Sequence, residues 1–150
     1  MTDTARMPDT RHRRPAGVDD TTVDALGRLS KALETIERAR GHLYALHQLT
    51  GTADFVLDEA VALLRQAGHD AMAARVEREL IGRNVIEGRW TYQLVEEYDD
   101  GYYAAFRALE RQAREQLGGG VRHLYEAELK QRRRTPETPG HETEPPAPRT

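Results

Sequence analysis

Apolar residues along the chain return every three or four positions, the spacing of amphipathic α-helices. Leu26, Leu29, Leu33 and Ile36 carry the first stripe, behind Thr21 and Asp24 in capping-box spacing. The stripe predicts a helix from residue 21 or 22 to residue 50, stopped by Gly51. Val56, Leu57, Ala60, Leu63, Leu64 and Ala67 share one face of a second predicted helix, residues 53–67. Thr52 can cap it, Asp54 and Asp58 favour its positive end, and Gly68 ends it. Asp70 is expected to cap a third helix with Met72, Ala73, Val76 and Leu80 inward. Gly82 and Gly88 bracket a loop expected to hold Val85 and Ile86 against the core.

The fourth predicted helix starts at residue 89 and continues to about residue 117, where Gly118, Gly119 and Gly120 break it. Residues 89–109 hold the only Trp, four of the six Tyr and one of the two Phe. Large aromatics bury the most area per residue, so the core is expected to form here. At about 100° per residue Trp90, Leu94, Tyr98, Gly101, Tyr102, Ala105 and Leu109 fall on the inner face. Tyr92 and Tyr103 fall on the polar back, which a lone surface helix does not require. With Phe55, they are the candidate interface residues. A short closing helix, residues 121–132, carries Leu124, Tyr125 and Leu129.

These elements predict a single all-α domain, a small antiparallel helical bundle of four to five helices, over residues 21–133. The seven prolines all lie outside residues 16–135, which permits long helices. Residues 1–20 and the Pro/Glu/Thr-rich residues 134–150 are expected to be disordered tails. The absence of cysteine excludes disulfides, thiolate metal sites and a Cys nucleophile, and fits a reducing cytoplasm. No apolar run reaches membrane-spanning length and no signal peptide is recognisable. The formal charge is −3. Apart from Arg clusters at 11–14 and 132–134, acids outnumber bases, which argues against specific nucleic-acid binding.

The first stripe changes character as it continues. The same face next presents Arg40, Tyr44 and His47, with Glu37 at its edge. Charged groups are rarely buried without partners, so Arg40 is expected to be largely buried against Glu97, or locally Glu37, beside Tyr98. These residues form either a satisfied structural network or a small-ligand site. Four acids of EEYDD (96–100) do not converge on one helix, so a metal would need a second helix. His123 and Glu126 stand three apart, in the reverse of the Glu-x-x-His order of di-iron bundles. No phosphate loop, zinc-protease or Ser-hydrolase motif is present, and nothing points to a cofactor.

The segments ARGHLYALHQLTG (39–51) and RWTYQLVEEYDDGYYAAFRALE (89–110) resemble those of small actinobacterial helical proteins without assigned activity. The resemblance implies no reaction and no functional residue. The sequence is read as a non-enzymatic interaction protein, a homodimer or adaptor. The alternative is a bundle that binds a ligand or metal through the Arg/Tyr/His/Glu seam.

Overall fold

The computed structural model describes residues 7–147. The fold is all-α, as the periodicity predicts. A 3-10 turn, Thr10–His12, precedes α1 (Asp20–Gln66), α2 (Asp70–Glu79), α3 (Thr91–Tyr98), a π-helical turn (Asp99–Tyr103), α4 (Ala104–Gly118) and α5 (Leu124–Arg133). Among the described residues the only β pairing is an isolated bridge, Ile86 to Arg89, closing the loop before α3. The chain divides into two compact units, Met1–Glu34 with Phe106–Thr150, and Thr35–Ala105.

Two helices were expected where α1 is one. It runs 47 residues straight through Gly51. Glycine inside a helix costs about 1 kcal/mol against alanine, which is not a stop. α1 stops where the chain turns into positive φ, at Gly68, φ 84°. There His69 N–H reaches back to the Leu64 carbonyl at 2.8 Å and closes the helix end. Thr52 is not a cap, because its hydroxyl donates to the Gln48 carbonyl one turn back. At the other end Asp19, not Thr21, caps α1 by accepting from Thr22 N–H at 2.7 Å.

The first unit has its core at Val23, Leu26 and Leu124, with Val18, Ala113 and Val121 packed on it. Its expected tails are fastened where they are described. Arg14 presents its guanidinium fork to Glu128, with Nε–Oε1 and Nη2–Oε2 both 2.9 Å. Arg14 Nη1 also donates to the Val18 carbonyl, and Asp9 is buried against His12. On the C-terminal side Lys130 holds the Thr143 carbonyl, and Thr10 N–H donates to Glu144. Such polar contacts leave no periodicity in the sequence. Residues 1–6 and 148–150 of the expected tails lie outside the described residues.

In the second unit α1 shows its inner edge at Leu43, His47, Thr50, Asp54, Leu57, Val61 and Leu64, alternately three and four apart and none of them exposed. Arg65 pairs with Glu77 of α2, and Asp54 accepts the Gly82 N–H at 2.9 Å. The expectation of an aromatic core fails here. Trp90 is nearly half exposed, and its indole N–H donates to the Gly82 carbonyl at 3.0 Å. Val85 and Ile86, expected against the core, are exposed.

Candidate functional site

The fourth predicted helix is continuous in register only as far as Tyr98. The following π turn, bonded from Ala104 N–H to the Asp99 carbonyl, inserts one extra residue. Every side chain after it occupies the azimuth that its predecessor holds in a regular helix. Tyr102 and Leu109, predicted inward, are 57% and 63% exposed. Tyr103 turns inward instead of facing the back, and Glu110 is buried at 8%. Ser30 Oγ donates to Glu110 at 3.2 Å, and Arg114 lies 3.4 Å away.

The π turn delivers Asp99 and Tyr103 to the polar face of α1. Arg40 binds Asp99 through both arms of its fork, Nε–Oδ1 2.7 Å and Nη2–Oδ2 2.9 Å. Its guanidinium carbon also lies 5.3 Å from the Tyr44 ring centroid and 5.1 Å from that of Tyr103. A weakly hydrated cation between two ring faces is favourable, and lysine does not reproduce the planar fork. Tyr103 donates its hydroxyl to the Glu37 carboxylate at 2.7–2.8 Å and stacks on Tyr98 at 6.3 Å. His47 Nδ1 shares a 2.7 Å hydrogen bond with Thr91 Oγ1, with Tyr44 edge-on to its ring at 6.0 Å.

This seam differs from the expectation in two ways. The partner of Arg40 is Asp99, because Glu97 points away to Arg89 Nε at 2.6 Å and Glu37 is taken by Tyr103. The pair is also only half-buried, with both side chains nearly 30% exposed. Hydrogen bonds from Arg40 hold the Asp99 carboxyl below the usual carboxylate range, against the upward push of desolvation, and the Arg40 charge adds to them. The same contact raises the Arg40 guanidinium above its ordinary value. Arg40, Asp99, Glu37, Tyr103 and His47 each have a hydrogen-bond partner within the seam, and no buried side-chain nitrogen or oxygen among the described residues lacks one. His123 and Glu126 are 3.9 Å apart and exposed. Among the described residues no three His, Asp or Glu side chains group as metal ligands.

The predicted interface residues separate. Tyr103 belongs to the seam. Tyr92 is half exposed and meets Trp90 edge-on at 6.5 Å. Phe55, 75% exposed, lines a cleft of about 210 Å³ with Gly51, Asp54, Gly82, Val85, Trp90 and Thr91. More apolar surface lies along α1, where Leu46, Leu49, Val56 and Leu63 are all exposed. Leu46 and Leu49 were given no role from sequence, because the stop assigned to Gly51 separated them from Val56 and Leu63. No helix of the described residues is long and apolar enough to cross a membrane. The chain matches no family model, no curated protein and no solved structure.

Proposed function

We propose that the protein acts by association with another polypeptide and not by catalysis. One observation carries this reading. Across Thr35–Ala105 the buried hydrophobic residues are Val61 and Ala73, while Leu49, Phe55, Leu63 and Tyr102 are each more than half exposed. Leu46, Leu49, Val56 and Leu63 form an exposed apolar stripe along α1, and exposed apolar surface of this kind marks an interaction face. The polar seam supports the same reading, since its charges are spent on one another and on aromatic faces. The lack of cysteine suits a reducing cytoplasm as the place of action.

A partner that binds only the folded state raises the melting temperature by mass action. If the partner is a second copy, melting rises by several degrees between about 2 and about 200 µM chain. If it is another protein, a tagged chain captures that protein from its host, and capture is lost when the exposed leucines become glutamate. A concentration-independent melting temperature together with no capture overturns the proposal.

The cleft beside Phe55 and Trp90 favours a second reading. Its volume of about 210 Å³ is below the roughly 300–1,000 Å³ of most ligand pockets, so it suits only a small apolar group. Native mass spectrometry of the protein from its host distinguishes the readings by showing a retained small molecule or a second chain.

A further inference from the structure

The exposed apolar residues of α1 are ordered. Leu46, Leu49, Ala53, Val56, Ala60 and Leu63 follow one another at spacings of three, four, three, four and three. This is the spacing of a coiled-coil seam, and it runs without a break through Gly51 because α1 does. It lies about 110° around the helix from the inner edge that carries Leu43, His47, Leu57 and Val61. All of the seam is exposed except Ala60, which is half-buried.

We propose that this seam is the contact between two copies of the chain, paired antiparallel about a two-fold axis near residues 54 and 55. The inference rests on the association reading above and names its surface and occupant. The order of large and small residues supports this arrangement. In a parallel pair Ala53 faces Ala53 and Ala60 faces Ala60, which leaves voids between the larger layers. In the antiparallel pair Leu49 faces Ala60, Val56 faces Ala53 and Leu46 faces Leu63. Large residues then meet small ones in four of the six layers, the interdigitation that close helix packing requires. A two-fold contact makes one patch complementary to itself, so no second surface is needed.

The area is of the right order. A fully open Leu or Val side chain offers on the order of 100 Å² of apolar surface. The four large side chains of the seam are 47–68% exposed, so they supply roughly 250 Å² per copy. The exposed Ala53 and half-buried Ala60 add to this. A standard interface takes about 800 Å² per partner, a little over half of it apolar.

The full-length chain is examined by sedimentation, with Leu49→Glu plus Leu63→Glu as the disrupting variant and Phe55→Glu as the control on another face. Both positions point outward, so the helix signal of the double variant should match the parent. Its dimer dissociation constant should rise at least about 30-fold, and that of Phe55→Glu should not change. Because the natural chain has no cysteine, strand order is read by mixing Leu46→Cys with tagged Leu63→Cys under mild oxidation. Mixed disulfides are expected, and abundant Leu46→Cys homodisulfides would overturn the antiparallel order. A dimer that survives both glutamates overturns the seam but leaves the association reading intact. A monomer that captures no protein overturns both. A monomer that loses a captured host protein on Leu49→Glu substitution overturns self-association and makes that protein the occupant.

Discussion

Gly27 and Gly51 lie in the same helix, and alanine should act oppositely at each. A Cβ built on Gly27 falls 2.8 Å from the Tyr125 Cβ and 2.9 Å from its Cγ. Carbon atoms prefer about 3.5–4.0 Å. The obstacle is the stem of the tyrosine, which rotation of the ring cannot move, so α1 and α5 must separate. A Cβ on Gly51 meets nothing within 4 Å. Both substitutions gain about 1 kcal/mol of helix propensity. At Gly27 overpacking costs about 1–3 kcal/mol, so the net effect runs from near neutral to about 2 kcal/mol destabilising. Gly51→Ala should stabilise by about 1 kcal/mol. The difference between the variants cancels propensity and isolates the clash. Urea unfolding followed by the helix signal measures it. If Gly27→Ala stabilises as much as Gly51→Ala, the packing of Tyr125 on Gly27 is wrong. If Gly51→Ala destabilises, α1 is not continuous.

Three further outcomes follow from the same geometry. Deleting Gly101 should convert the π turn to regular α-helix while Phe106, Glu110 and Ala113 keep their inward azimuth, so the helix signal and folding cooperativity should survive; loss of folding would mean that the stretch was already regular. Arg14→Ala should cost about 1–3 kcal/mol in chemical denaturation, since it removes a charged fork and leaves Glu128 three-quarters buried with its partner gone; no loss would place the segment before α1 free of the fold. The folded Asp99 value lies below the ordinary 3.8, so its stabilising effect is fully present above 3.8 and is lost as the pH falls through the lower value. Acid titrations of the parent and Asp99→Asn should therefore differ near neutrality and converge at low pH, and a constant gap at all pH values would contradict the pairing.

The helices were legible where burial is one-sided. In α2 the predicted inner residue Ala73 is fully buried, whereas Met72 and Leu80 of the same predicted face are half exposed, and the stop at Gly68 is where it was expected. Gly51 and Gly68 look alike as letters, because φ is set by what the chain can pack against beyond each glycine. Ending α1 at Gly51 cut the heptad run in two, so Leu46 and Leu49 lost the continuity that gives them meaning. The π turn was illegible for a related reason. One inserted residue changes no composition, yet it exchanges Tyr102 for Tyr103 and Leu109 for Glu110. The one available signal was the second aromatic on the polar back, and it was read as an interface. The seam on α1 was recognised through Arg40, Tyr44 and His47. Its carboxylate is Asp99 and not Glu97, which is taken by Arg89.

If the apolar face of α1 is covered by a second copy, as proposed, the chain self-associates. Sedimentation equilibrium of the unmodified chain from about 1 to about 200 µM tests it, since this range brackets micromolar association. The mass should rise to twice the 17.0 kDa of the chain. A mass that stays at 17.0 kDa throughout contradicts self-association.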